Sequence, residues 1–95
     1  MTANSYRFRL YVAGQGPNSR LAIANLTALC DAYLPGRHQV EIVDVFEHPD
    51  RALEDGVLLT PQLVILSASP VQMIIGNLSH TEVLLQALQL PREAL

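Results

Sequence analysis

The dipeptide Thr60-Pro61 constrains the fold of this 95-residue chain more than any other feature. It lies between a helix-like segment and an apolar run of β-forming residues that begins at Gln62. Proline has no N–H group to give to a sheet, so it must open a strand rather than lie inside one. An X-Pro bond is also the common place for a cis peptide. The sequence therefore predicts that Thr60-Pro61 is cis and begins a strand that joins the two halves of the chain.

The first half of the chain has a strand–helix–strand pattern. β-forming residues are dense over Tyr6–Ala13 and Val40–Val45, which predicts two strands. Asn18 or Ser19 is the predicted cap of the helix between them, and a crossover of this length predicts a parallel, right-handed strand pair. Apolar residues at helical spacing predict one buried stripe on that helix. The stripe consists of Ala22, Ile23, Leu26, Leu29, Cys30 and Tyr33.

A short second helix is predicted to begin at Pro49, because proline suits the first helical turn. Asp50 and Glu54 are expected to interact with its N-terminal dipole. Gly56 is expected to weaken its last turn. The predicted apolar face consists of Ala52, Leu53, Val57 and Leu58.

The second half of the chain reads as a hairpin and a helix. Gln62–Leu66 and Val71–Ile75 are two short predicted strands, joined by a loop that ends at Pro70. The segment from Ser79 to Glu82 has the spacing of a capping box, so a third helix is expected to follow and to be limited by Pro91. The order β-α-β-α-β-β-α, with strand order 2-1-3-4, is that of a thioredoxin-like α/β fold. Residues 1–95 are expected to form one such domain with a four-stranded mixed sheet.

Charge and composition exclude several classes of protein. The formal net charge is −3, and the six cationic residues are all arginines scattered along the chain, so nucleic-acid binding is disfavoured. The apolar runs are too short to span a membrane. The polar segment Met1–Ser5 predicts no secretion signal. Cys30 is the only cysteine, which excludes an internal disulfide, and a cytoplasmic location is expected.

No residue pattern predicts catalysis, a cofactor or a metal. A redox thioredoxin needs a cysteine pair where the first strand turns into the first helix, but the segment Gly14–Ser19 contains no sulfur. Cys30 has two interpretations, a buried core residue or a reactive thiol. The glycines of Gly14-Gln15-Gly16 fit either a tight turn or a phosphate-binding turn. A cluster of Asp44, Glu47, His48 and Asp50 fits either a solvated acidic loop or a divalent-ion site.

Several segments together make the chain similar to the circadian clock family KaiB. The resemblance extends from about Tyr6 to Leu90. It rests on Leu10-Tyr11-Val12-Ala13-Gly14-Gln15-Gly16-Pro17-Asn18-Ser19, Val43-Asp44-Val45 with Pro49, Glu54-Asp55, Thr60-Pro61 and Ile74-Ile75-Gly76-Asn77-Leu78-Ser79. It implies a non-catalytic regulator that binds the N-terminal ATPase ring of the hexameric kinase KaiC, in complexes that also sequester KaiA. Relatives of the family form the sensor domain of a clock-associated histidine kinase, which is the alternative function.

The resemblance also implies a metamorphic protein with two folds. One is a tetramer of order β-α-β-β-α-α-β, and the other is a thioredoxin-like monomer. Residues assigned to the switch are Thr60, Pro61, Pro70, Ala87 and Gln89. Where clock members have Gly and Asp, this chain has Ala87 and Gln89, which favours a helix over a strand. A thioredoxin-like monomer or weak dimer is therefore expected, with the tetramer as the alternative state.

Partner contacts are expected at the exposed end of the second helix and at the strand edges. The residues assigned to them are Glu41, Glu54, Asp55 and Gly56. Clock members carry basic residues at the positions of Gly56, Ile65, Gln72 and Met73, all of which are uncharged here. Loss of these charges favours a divergent member of the family, whose partner is another KaiC-like ATPase or a different protein. The apolar residues of the hairpin are consistent either with a packed core or with an exposed apolar patch that binds a partner.

Overall fold

The computed structural model of this chain describes residues 5–90. Its elements follow the predicted order β-α-β-α-β-β-α. The strands are β1 (Tyr6–Val12), β2 (His38–Asp44), β3 (Gln62–Ile65) and β4 (Gln72–Ile75), and the helices are α1 (Pro17–Tyr33), α2 (Pro49–Glu54) and α3 (Thr81–Ala87). The predicted boundary at Pro91 lies outside the described residues.

The four strands form one sheet in the order β2-β1-β3-β4, which confirms the predicted strand order. β1 and β2 are parallel, with Arg9 opposite Glu41 and Tyr11 opposite Val43. The α1 crossover between them makes this orientation possible, because it returns the chain to the same end of the sheet. β3 is antiparallel to both β1 and β4. β1 and β3 are therefore the inner strands, and β2 and β4 are the edges.

The larger core lies between the sheet and the helices α1 and α3. The strands contribute alternate residues, since successive side chains of a strand point to opposite faces. The predicted stripe of α1 is confirmed for its four buried members, whereas Ile23 and Tyr33 are partly buried at its rim. The buried members of this core are Phe8, Leu10, Val12, Ala22, Leu26, Leu29, Cys30, Leu34, Leu63, Ile65, Leu78, Leu84, Leu85 and Leu88.

A smaller core lies on the other face of the sheet, under α2. It consists of Tyr11, Val43, Ala52, Val57 and Val64. The predicted apolar face of α2 is therefore right for Ala52 and Val57 but wrong for Leu53 and Leu58, which are 75% and 87% exposed. With six residues, α2 has too few turns to bury a long stripe, and the chain leaves the helix before Leu58.

The Thr60-Pro61 peptide bond is cis, as predicted. Pro61 immediately precedes β3, and its carbonyl oxygen accepts a hydrogen bond from the amide of Gly76 at 2.9 Å. This bond ties the start of β3 to the end of β4. Ser69-Pro70 in the hairpin is also cis, which the sequence reasoning did not include.

The predicted side-chain cap of α1 is wrong. The N-cap is Gly16, and Pro17 takes the first helical position, where its missing N–H group costs nothing. Ser19 is buried, and its side chain bonds to Ala13 before the helix instead of capping it. Its hydroxyl accepts a hydrogen bond from the amide of Ala13 and donates one to the carbonyl of the same residue, both at 3.3 Å.

The predicted capping box of α3 is also wrong. The N-cap is His80, and its side chain makes no capping hydrogen bond within the described part of the chain. Ser79 lies before the cap, where its amide donates to the side-chain oxygen of Asn77 at 3.1 Å. The side chain of Asn77, and not that of Ser79, therefore stabilises this turn. Asparagine commonly accepts a hydrogen bond from the backbone two residues further on.

α2 and α3 end with the same Schellman motif. A residue in the left-handed conformation follows the helix, and two backbone amides beyond the helix donate to carbonyls of its last turns. At α2 the amide of Gly56 donates to the carbonyl of Leu53 at 3.1 Å, and the amide of Val57 donates to that of Ala52 at 2.8 Å. Gly56 has φ +72°. It therefore lies beyond the helix and terminates it, which corrects the expectation that it weakens the last turn.

At α3 the left-handed position belongs to Gln89, with φ +60°. The amides of Gln89 and Leu90 donate to the carbonyls of Gln86 and Leu85 at 3.0 Å and 2.9 Å. Ala87 is the last helical residue, as its helix propensity favours, but Gln89 lies outside the helix. Gln89 therefore ends the helix in a left-handed conformation and does not extend it. None of the helices within residues 5–90 is long and apolar enough to cross a bilayer.

Candidate functional site

The guanidinium group of Arg9 joins three elements on the α2 side of the sheet. Its Nε donates to Oε1 of Glu41 on β2 at 2.8 Å, and its Nη1 donates to Oδ2 of Asp55 after α2 at 2.9 Å. Arg51 on α2 closes the arrangement, since its Nη1 lies 2.7 Å from the other oxygen of Glu41. We call these four residues the ion-pair network. It carries two positive and two negative charges and is neutral as a unit.

The hydroxyl of Tyr11 supports this network from the smaller core. It donates to Oδ2 of Asp55 at 2.5 Å and lies 3.1 Å from the carbonyl oxygen of Arg51. Burial of the ring, followed by the hydrogen bond to the Asp55 carboxylate, raises the pKa of Tyr11 to about 12. The phenol therefore stays protonated and keeps donating at neutral pH.

Hydrogen bonds hold both carboxyl groups of the network in the charged form. Those from Arg51 and Arg9 lower the pKa of Glu41 to about 2. Those from Tyr11 and Arg9 lower the pKa of Asp55 below its usual range. The negative charges of Glu41 and Asp55 are therefore matched by arginines of the same chain and offer a partner little net charge.

The structure brings two of the four predicted contact residues together, because Arg9 bridges Glu41 and Asp55. Glu54 is exposed and lies outside the network. Gly56 is exposed, and an added Cβ would meet nothing within 4 Å, so its left-handed conformation alone accounts for a glycine there.

Sequence reasoning missed Arg9, Tyr11 and Arg51 as members of this site. A signal was available, because Arg9 and Tyr11 are two residues apart and so lie on one face of β1. Placing Arg9 opposite Glu41, however, required the register of the parallel pair.

Large apolar side chains are exposed in the part of the chain that carries α2. Four of them belong to the segment between β2 and β3, namely Phe46, Leu53, Leu58 and Leu59. We call these four residues the α2 surface. Exposed large apolar residues are a feature of protein-binding surfaces, so the α2 surface is a candidate contact region.

The residues that sequence reasoning considered for chemistry have structural contacts instead. Asp44 accepts hydrogen bonds from the amides of Gly14 and Phe46 at 3.2 Å and 2.9 Å. Gly14 has φ +67°, and a Cβ there would lie 3.4 Å from the Phe46 ring, which supports the tight-turn interpretation. Across residues 5–90, no three His, Cys, Asp or Glu side chains converge as metal ligands would.

Cys30 lies inside the larger core and is 1% exposed. Burial, and secondarily the charge of Asp31, raise the pKa of its thiol to about 11. A thiol with this pKa is almost wholly protonated at neutral pH, and the thiolate is the reactive form. This supports the core interpretation of Cys30 over the reactive-thiol alternative.

A cleft of about 490 Å³ lies beside Pro61, between the end of β4 and the start of α3. Asn18 and His80 contribute polar groups to its wall, and Ile74 and Val83 contribute apolar ones. Cys30 does not line this cleft, so the cleft offers no thiol chemistry.

Comparison of the sequence with known proteins finds similarity to one family, KaiB. The profile of the KaiB domain matches residues 9–90. The circadian clock protein KaiB3 of Synechocystis sp. is 40% identical over 95 residues, which are all of this chain and 93% of the relative. The circadian clock oscillator protein KaiB of Acaryochloris marina is 38% identical over 91 residues, which are 96% of this chain and 88% of the relative.

Solved structures have the same fold. The N-terminal domain of Synechococcus elongatus SasA matches with a TM-score of 0.75 and 18% identity, over 94% of this chain and 88% of that chain. The oxidised mitochondrial thioredoxin 3 of Saccharomyces cerevisiae matches with a TM-score of 0.71 and 24% identity, over 93% and 80%. These similarities confirm the thioredoxin-like fold and, at such identities, nothing beyond it.

Proposed function

Because this chain belongs to the KaiB family, we propose that it is a non-catalytic, protein-binding regulator in circadian or other timing control. Its proposed partner is KaiC or a KaiC-like hexameric ATPase, bound at the N-terminal ATPase ring. The α2 surface and the adjoining residues Glu41, Glu54, Asp55 and Gly56 are the proposed contact region. The cytoplasm is the proposed compartment.

The observation that carries this proposal is the combination of exposed leucines with a rigid support. Leu53 and Leu58 stand almost fully in solvent, although they flank a helix end held by Arg9 and Tyr11. Residues whose backbone is already held in place lose less conformational entropy on binding than residues of a mobile loop. The thiol of Cys30 is buried on the opposite side of the sheet, which is consistent with binding rather than catalysis at the α2 surface.

The chemistry of the contact is proposed to be mainly apolar. The uncharged residues Gly56, Gln72 and Met73 are exposed, where basic residues would meet an acidic partner. Ile65 is 1% exposed and packs in the larger core, so its lack of charge has no direct effect on a surface. With the ion-pair network neutral as well, affinity is expected to vary little between about 0.1 M and about 1 M salt.

The test is binding of the purified chain to the N-terminal rings of the KaiC-like ATPases of the source cell. Leu58→Glu places a charge in the proposed contact and should weaken binding about tenfold or more. Val83→Glu is the matched control, since Val83 is half-exposed on α3, across the sheet from α2. Equal binding by both variants would reject the α2 surface. Failure of the unmodified chain to bind any of these rings would reject the partner.

The alternative partner is a histidine kinase, for which this chain would serve as a sensor module, and a KaiA-like protein is a third. The same experiment separates them when histidine kinases and KaiA-like proteins of the source cell are included. Binding that depends on Leu58 but occurs only with a kinase would keep the contact region and replace the partner.

A further inference from the structure

The strand β4 (Gln72–Ile75) lies at an edge of the sheet and differs in charge from the opposite edge. From position 56 to position 79 the sequence contains no Asp, Glu, Lys or Arg. β4 lies inside this uncharged segment. The other edge strand, β2, carries Glu41 and ends at Asp44. The edge strand β4 and its neighbour β3 thus carry no formally charged side chain, although the chain has a net charge of −3.

The backbone of β4 has a free side. The amide of Gly76 bonds to the carbonyl of Pro61, and the β3–β4 register continues with Ile74 opposite Leu63. Hydrogen-bonded and non-bonded pairs alternate along an antiparallel ladder, so Ile74 bonds inward to β3. The N–H and C=O groups of Met73 and Ile75 therefore point outward, away from β3. No other strand within residues 5–90 pairs with them.

The residues of β4 itself lack the usual protection of an exposed edge. Edge strands commonly carry a lysine, an internal proline or a bulge that prevents pairing with another chain. The residues of β4 include none of these, and Pro70 lies before the strand. Two side chains of the edge are also apolar and exposed, Met73 by 46% and Ile75 by 58%.

We propose that β4 pairs antiparallel with β4 of a second copy of this chain, about a two-fold axis at Ile74. In this register Met73 of one copy is opposite Ile75 of the other. In both of these Met73–Ile75 pairs, the two residues then exchange main-chain hydrogen bonds across the interface. The two sheets become one continuous sheet across the axis.

A second copy fits this edge for two reasons. A two-fold axis pairs the same short segment of both copies in antiparallel orientation. Each outward-pointing N–H group of one copy therefore meets a C=O group of the other. Two copies that each carry net charge −3 repel, and pairing through β4 places no like charges opposite each other on the paired strands. A strand of four residues makes a small interface, and small interfaces are typical of weak, concentration-dependent complexes.

The test is sedimentation of the purified chain alone, from about 10 µM to about 1 mM. We expect the average mass to rise from 10.4 kDa toward that of a dimer. Met73→Lys should weaken the dimer at least tenfold. Leu53→Lys makes the same charge change on the α2 surface and should leave it intact. Because no partner protein is present, the outcome is independent of the proposed function.

Amide exchange gives a second measurement that does not depend on a variant. The amides of Met73 and Ile75 should exchange more slowly as the concentration rises, whereas the edge strand β2 should be unaffected. A monomer over the whole range would overturn the proposal. So would a dimer that tolerates Met73→Lys, a dimer that Leu53→Lys abolishes, or a tetramer.

Discussion

The guanidinium group of Arg9 lies 2.9 Å from Oδ2 of Asp55 and joins the central part of the sheet to the end of α2. A helix as short as α2 has little stability of its own. It is held by two buried side chains, Ala52 and Val57, and by this contact with its neighbours. The position of the exposed leucines on the α2 surface therefore depends on this polar network.

Replacement of Arg9 by Met should lower the free energy of unfolding by about 1–2 kcal/mol, because hydrogen bonds to charged groups are stronger than neutral ones but this network is partly exposed. Arg7→Met is the matched control on the same strand. Arg7 is exposed and forms no ion pair within residues 5–90. Urea unfolding measures both variants. Equal stability of the two would show that the network does not hold α2.

Glu41 should make stability depend on pH. Its ion pairs lower its pKa from 4.5 to about 2 in the folded chain. A lowered pKa means that the stabilisation is present above about pH 4.5 and is lost as the pH falls toward about 2. Glu41 is half-exposed, so the effect is expected to be about 1 kcal/mol or less.

Urea midpoints measured between about pH 6 and about pH 2 should converge for the unmodified chain and Glu41→Gln as the acid protonates. Glu54→Gln provides the control, since Glu54 is exposed and outside the network. A constant difference between Glu41→Gln and the unmodified chain at every pH would contradict the assigned role of Glu41.

The topology could be predicted from sequence because it depends on short-range patterns. Runs of β-forming residues, helical spacing of apolar residues and helix-start signals located all seven elements, and Pro61 marked the start of β3. The ion-pair network could not be predicted in the same way. Arg9 and Asp55 are far apart in sequence, and only the packing of α2 on a particular strand register brings them together.

Cys30 should react slowly with an aromatic disulfide reagent in the native protein and quickly once the protein is unfolded in urea. The reason is that burial both excludes the reagent and raises the pKa of the thiol to about 11. Cys30→Ala is the control for reagent absorbance. A fast native reaction would revive the thiol-enzyme alternative, and turnover of a peroxide that Cys30→Ser abolishes would establish it.

Residues 82–89 should show no strand character in solution. The structure has a helix from Thr81 to Ala87, and alanine at the last helical position is about 1 kcal/mol better than glycine. We therefore expect backbone chemical shifts typical of a helix up to Ala87 in a single, thioredoxin-like state. A second set of signals with strand-like shifts for these residues would reveal a populated tetrameric fold.

The helix ends were predicted least well because they depend on individual dihedral angles. The spacing of Ser79 and Glu82 fits a capping box, yet Asn77 forms a local turn that moves the start of α3 to Thr81. In the same way Gly56 was expected within a helix that in fact ends just before it. Local competition of this kind has no periodic signal in the sequence.

Gly56 and Gln89 occupy equivalent left-handed positions, so they form a natural pair of test sites. The left-handed conformation is less favourable by about 1–2 kcal/mol for a residue with a Cβ than for glycine. Part of the stability that glycine adds is lost, because glycine also raises the conformational entropy of the unfolded chain. Gln89→Gly should therefore stabilise the protein by about 0.5–1 kcal/mol in thermal or urea unfolding. Gly56→Gln should destabilise it by a similar amount, because open space around Gly56 leaves only the backbone term. If Gln89→Gly lowered the stability, the Schellman hydrogen bonds at the end of α3 would not form in solution. Residue 89 would then not have the left-handed conformation.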